Sequence, residues 1–158
     1  MLARIYYYYS IQENDIGGSR MKNKNGVSFV EFRVRYVETD QMGIAHHSNY
    51  FSWMEAARAE LMRDQGMSYR ELEEKGYLLP VREAYCRYRK SLKYDDIIVI
   101  ESELLELGGA SIKIGYKIFK KGDNKPSAEG LTLHPFTDKD GKVVKTPAFF
   151  KELFEKSS

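Results

Sequence analysis

Cysteine is nearly absent from this chain: one residue, Cys86, in 158. No internal disulfide framework can form, and a reducing, cytoplasmic setting is expected. With only three histidines beside it, the single thiol cannot complete a cysteine-rich zinc site of four ligands. No apolar run approaches the roughly 18 residues that mark a membrane helix. The aromatic N-terminal run lacks a small-residue cleavage site behind a long apolar core, so a secretory signal is not expected. An excess of charge is missing as well. Lys plus Arg number 25 and Asp plus Glu 23. Residues 1–26 hold Arg4, Arg20, Lys22 and Lys24 against Glu13 and Asp15, which leaves 21 of each sign over residues 27–158. A body without net charge lacks the broad basic footprint of a nucleic-acid binder, and no nucleic-acid partner is expected.

What is there is a normal globular mixture, 42% hydrophobic and 30% charged, long enough for one domain with a real core. Residues 1–26 differ from the rest. Four tyrosines, Tyr6–Tyr9, precede Gly17-Gly18-Ser19 and the polar run Arg20–Gly26. This reads as an appendage, flexible or ordered only on a partner, and Met21 offers a second start. Residues 27–158 read as a single domain.

Period-two alternation predicts a half-buried strand over about 28–37. After a polar loop, Glu38–His47, either Ser48 or Asn49 stands where a helix N-cap belongs. Tyr50, Met54, Ala57 and Leu61 recur at helical spacing, and Gly66 suits the C-terminal stop, so a largely buried helix is predicted over 49–65. Ser68-x-x-Glu71 has capping-box spacing and announces a shorter helix ending at Gly76. Segments near 81–90, 96–107, 111–120 and 127–137 read as strands separated by turn-like sequences, and 147–155 as a terminal helix starting at Pro147. One strand, one long apolar helix and a run of strands with short links define an α+β fold, an antiparallel sheet burying the helix. Its exposed edge strands invite dimerisation.

Polar groups concentrate in Asp40-Gln41-Met42-Gly43-Ile44-Ala45-His46-His47-Ser48-Asn49-Tyr50, just before the long helix. Free N–H groups and the positive dipole end at a helix N-terminus can hold an oxyanion. A carboxylate beside them can activate water or attack directly. Composition alone leaves a second reading open, with Asp40 as a turn residue and the histidines as surface or capping groups.

The stretch Arg33-Val34-Arg35-Tyr36-Val37-Glu38-Thr39-Asp40-x-x-Gly43-Ile44-Ala45-His46-His47-Ser48-Asn49-Tyr50 resembles the signature of the 4-hydroxybenzoyl-CoA thioesterase family of hotdog-fold proteins. Glu55-x-x-Arg58 within the helix, Tyr88, Asp96, Ala128-Glu129-Gly130, Asp138 and Asp140-Gly141 extend the resemblance over about residues 28–147. It implies a long central helix wrapped by an antiparallel sheet of about five strands. It also implies homodimers, often paired into tetramers, with active sites at the subunit interface. The implied activity is hydrolysis of acyl-CoA thioesters with no metal and no cofactor. The catalytic carboxylate corresponds to Asp40. His47 falls where the family places histidine or tyrosine near the docking thioester carbonyl, and His46, Asn49 and Tyr50 are expected to touch substrate. His46 replaces a tyrosine common in bacterial acyl-CoA members, and Ser91 replaces a frequent proline.

The chemistry agrees with that reading, because a thiolate leaves at a thiol pKa of about 8.5 and needs no strong general acid. Arg82, Arg87, Arg89, Lys90 and Lys93 form a basic strand interleaved with Tyr85 and Tyr88. Arg87, Arg89 and Lys90 are the candidates for the coenzyme A phosphates, against the alternatives of RNA contact or a solvated edge. Cys86 is expected in the core, His134 as a satisfied or half-exposed histidine, and Glu55 with Arg58 as a helix pair. The substrate carrier is coenzyme A or an acyl-carrier protein. Two other functions compete: a non-catalytic acyl-CoA or acyl-carrier binding module, and a hydratase or dehydratase on the same fold.

Overall fold

The computed structural model describes residues 21–22 and 26–155. The strands are β1 (Met21–Lys22), β2 (Val27–Arg33), β3 (Glu83–Tyr88), β4 (Ile97–Leu107), β5 (Ser111–Lys120) and β6 (Ala128–Pro135). The helices are α1 (Asn49–Asp64), α2 (Tyr69–Glu74) and α3 (Ala148–Glu155). All six strands form one antiparallel sheet in the order β1-β2-β4-β5-β6-β3. Five are long and β1 has two residues, so the expected α+β arrangement of about five strands around one long helix is what the chain adopts. Met21–Lys22, read from the sequence as part of the tail, pairs with β2. The expectations for residues 1–20 lie outside the described residues.

The core follows from two periodicities meeting. Ile98 and Ile100 of β4, Ile112, Ile114 and Ile118 of β5 and Ala128 of β6 alternate onto one sheet face. Tyr50, Trp53, Met54, Ala57 and Leu61 of α1 recur at helical spacing and bury against that face. The contact is close enough that a Cβ at Gly130 of β6 would force the Met54 thioether to shift. Phe150 of α3 is fully buried, edge-on to Phe136 at 4.8 Å.

Three local expectations are corrected. The first strand stops at Arg33 rather than near 37, because its partner runs out. Val34 N–H bonds the Asp96 carbonyl, Asp95 turns the chain with φ +70°, and a 3-10 turn follows at Tyr36–Glu38. Glu55 and Arg58 do not pair among the described residues. Arg58 turns inward, 4.7 Å over the Tyr69 ring, and donates to His134 Nδ1 at 2.9 Å and to the Leu79 carbonyl at 3.4 Å. Cys86 is half-buried rather than fully in the core, since β3 is an edge strand and the flanking Ala84 and Tyr88 are exposed. The capping box Ser68–Glu71 is present in both directions, Glu71 N–H to Ser68 Oγ at 3.2 Å and Ser68 N–H to Glu71 Oε2 at 2.7 Å.

Candidate active site

Residues 38–47 form a loop closed by main-chain bonds. Asp40 N–H donates to the Ile44 carbonyl at 2.8 Å and Gly43 N–H to the Asp40 carbonyl at 2.9 Å. Gly43 takes φ +74°, which a side chain would resist. His46 N–H reaches the Glu38 carbonyl and Ala45 N–H the Leu92 carbonyl, each at 2.8 Å. The Glu38 side chain, 5% exposed, anchors the base of this loop. It accepts from Arg35 N–H at 2.7 Å, from the Arg35 guanidinium at 2.9 Å and from Trp53 Nε1 at 3.0 Å. Burial alone would raise its pKa, but those donors to its charged form hold it below the ordinary carboxylate value. Glu38 and Trp53, joined across 15 residues of chain, are site-supporting residues that no motif in the sequence marks as partners.

The loop delivers its groups to the start of α1, where the N-cap residue Ser48 makes no capping bond with its side chain. Ser48 Oγ is engaged with His46 Nδ1 at 2.8 Å instead. The Asn49 amide donates backwards, to the Glu38 and His46 carbonyls at 2.8 and 3.2 Å. Neither Ser48 nor Asn49 therefore caps the helix with its own side chain; His46 Nδ1 accepts from Ser48 N–H at 3.3 Å, and the helix end keeps a donor for a ligand. Among the main-chain donors from His46 to Tyr50, four have acceptors: Glu38 O, His46 Nδ1, His46 O and His47 O. The His47 N–H has none among the described residues. Asp40 Oδ1 accepts from Met42 N–H at 2.8 Å, and Asp40 Oδ2 has no hydrogen-bond partner among the described residues.

Both open groups belong to residues lining one pocket of about 260 Å³, shared with Tyr50, Tyr88, Arg89 and Lys90. The structure thus brings together Asp40, His47, Tyr50, Arg89 and Lys90. It adds Tyr88, whose hydroxyl donates to the His47 carbonyl at 3.0 Å. His46, Asn49 and Arg87 do not line this pocket. His46 is exposed with its ring 4.2 Å from that of His47, Asn49 braces the loop, and Arg87 alternates to the opposite sheet face from Tyr88. A neighbouring cleft of about 620 Å³ shares Arg89 and Lys90 and adds Asn124 and Lys125. Arg89 Nε is bonded to Glu129 at 2.7 Å and Lys90 Nζ to Asp123 at 2.6 Å. No cluster of three or more metal-ligating side chains occurs among the described residues. No described helix is long and apolar enough to cross a membrane.

Residues 34–154 match the thioesterase-like superfamily, and the chain belongs to it. Among its relatives, YneP of Bacillus subtilis (strain 168) is 38% identical over 114 residues, 72% of this chain and 82% of that protein. The acyl-CoA thioesterase YbgC of Haemophilus influenzae is 32% identical over 97 residues, covering 61% of this chain and 71% of its own length. The fold is the hotdog of the solved DHNA-CoA thioesterase from Staphylococcus aureus: TM-score 0.76, 27% identity, 82% of this chain and 87% of that one.

Proposed function

We propose that this protein hydrolyses acyl-CoA thioesters, with Asp40 as the catalytic carboxylate and the His47 N–H, at the N-terminus of α1, as the oxyanion donor. One observation carries the reading: a carboxylate oxygen and a main-chain N–H, each without a partner among the described residues, belong to residues of a single pocket at the start of α1. The thioester carbonyl docks at the donor. Asp40 Oδ2 either takes a proton from an attacking water or itself adds to the carbonyl carbon. The carbonyl π-bond opens, the developing oxyanion is held by the His47 N–H and the helix dipole, and collapse breaks the C–S bond. Coenzyme A leaves as the thiolate; on the water route the acyl group leaves directly as the free acid, and on the direct route a water then cleaves the acyl–Asp40 anhydride, giving the free acid and restoring the carboxylate.

Arg89 and Lys90 lie between the pocket and the larger cleft, the arrangement needed to meet phosphates while the thioester sits at Asp40. Their bonds to Glu129 and Asp123 would be exchanged for phosphate contacts. The relatives' chemistry favours coenzyme A as the carrier, and the loop signature favours the 4-hydroxybenzoyl-CoA thioesterase family within the superfamily. The open edge of β3 beside the pocket supports a homodimer, or a tetramer built from it, with sites at the subunit interface, and the single cysteine supports a reducing, cytoplasmic setting. A non-catalytic binding module has no use for an open carboxylate oxygen beside the carbonyl. A hydratase needs an imidazole paired with an acid, and no such pair occurs for His46 or His47 among the described residues.

The test is a thiol-release assay on a panel of aryl, short-chain and long-chain acyl-CoA esters. Turnover of at least one class is expected. Tight binding of an acyl-CoA without release of thiol would replace hydrolysis by the binding-module reading.

A further inference from the structure

The Tyr88 hydroxyl bridges 41 residues of chain to reach the His47 carbonyl at 3.0 Å. Tyr88 ends β3, and its ring stands edge-on to that of Tyr50 at 4.9 Å in the wall of the pocket. The other donor to this carbonyl is the Tyr50 N–H, stretched to 3.4 Å. His47 Cα joins two planar peptide units. The first carries the His47 N–H, and its carbonyl, that of His46, is held by Asn49 N–H at 3.0 Å from within the helix. The second carries the His47 carbonyl, and its well-formed bond comes from Tyr88, on the sheet. The direction of the unpaired N–H is therefore set jointly by the helix and by the end of an edge strand. Burial pushes the Tyr88 phenol up to about 12, so it stays a donor at any working pH.

We propose that Tyr88 is a positioning residue for thioester hydrolysis: its hydroxyl holds the His47–Ser48 peptide so that the His47 N–H faces the developing oxyanion, and it ties that donor to the strand that leads into Arg89 and Lys90. The proposal rests on the hydrolase reading above. Tyr88 gives no proton to the reaction and acts through the main chain of His47. A misdirected donor weakens only the charged transition state, so the loss belongs in kcat and not in KM. Displacements of about 1 Å at a reacting centre cost on the order of 10²-fold, and deleting a whole oxyanion donor costs about 10²–10³-fold.

Tyr88→Phe removes the hydroxyl and keeps the half-exposed ring against Tyr50, so the fold is retained. On the best acyl-CoA ester, kcat should fall about 10- to 100-fold with KM within about twofold. A second readout uses the slow Asp40→Asn protein with the ester bound. There the vibrational frequency of the thioester carbonyl should be lowered by the His47 N–H, and adding Tyr88→Phe should move it back toward the value in water. An unchanged kcat, a rise in KM alone, or a lower kcat with no movement of the carbonyl frequency would each overturn the proposal. If the parent protein turns over no acyl-CoA ester, it is the hydrolase reading that fails. An active parent with an unaffected Tyr88→Phe variant removes only the role of Tyr88.

Discussion

His134 is fully buried, yet it touches a cation. The guanidinium of Arg58 can only donate, so His134 Nδ1 must be the acceptor and the ring proton sits on Nε2, 2.7 Å from Thr132 Oγ1. Thr132 in turn is 2.9 Å from the Tyr116 hydroxyl. Burial, and then the nearby Arg58 charge, lower the His134 pKa from 6.5 to about 4. Between those values the unfolded chain binds a proton that the folded one refuses. The stabilising contribution is therefore complete above pH 6.5 and is lost as pH falls from there toward 4. It amounts to about 3 kcal/mol. Melting temperature measured from pH 7.5 to 4.5 should drop in the parent protein, and the acid-dependent part should shrink in His134→Gln. Equal acid sensitivity in both would contradict this assignment. The sequence exposed the helix face on which Arg58 lies but not its partner 76 positions away, which only the β6 register supplies.

At the scale of elements, the strands and α1 were legible because alternation and helical spacing are imposed by the core itself. Ile98/Ile100, Ile112/Ile114 and Tyr50/Met54/Ala57/Leu61 announce their faces without outside information. The Asp40 loop was legible as a concentration of polar groups ahead of an apolar helix. The carboxylate and the helix-end N–H groups were readable as kinds of group, but not which atoms stay open: the His47 N–H and Asp40 Oδ2 stand out only after the other donors and acceptors among the described residues nearby are accounted for. Glu38 stayed hidden for the opposite reason, since a carboxylate buried on an indole and a guanidinium looks in sequence like any surface acid. The basic strand was seen whole, but β3 ends at Tyr88: Arg87 faces away from Tyr88 within the strand, while Arg89 and Lys90, past its end and both donating N–H to the Ser127 carbonyl, meet the pocket. Arg89→Ala and Lys90→Ala should therefore raise KM for an acyl-CoA several-fold with kcat little changed, and Arg87→Ala should do so much less. With an acyl-pantetheine substrate the effect should vanish. Equal damage to both substrates would make the two cations structural, through Glu129 and Asp123.

For the whole molecule, the sheet order places β3 at an edge, and Tyr85 and Tyr88 on it are 53% and 45% exposed. An open edge with exposed aromatics beside the pocket is a natural seam for a second copy of the chain. Light scattering at micromolar concentration should give at least twice the chain mass, with activity per chain falling on dilution below the dissociation range. A fully active monomer would contradict interface sites. A chain beginning at Met21, which keeps β1 paired to β2, should retain most of its turnover, and a large loss without unfolding would assign residues 1–20 to the site.

The central claim is that Asp40 performs the chemistry at the start of α1, and kcat of Asp40→Asn on the best acyl-CoA ester tests it most directly. The substitution keeps the size of the side chain and an oxygen for the Met42 N–H, so the loop and the melting curve should survive. It removes the charge that attacks or takes the proton. Loss of a positioned base typically costs about 10²–10⁴ in rate, or about 3–5 kcal/mol of barrier. The account predicts a folded protein that still binds the ester and turns it over slower by that factor. A folded Asp40→Asn protein with a kcat near that of the parent would contradict it.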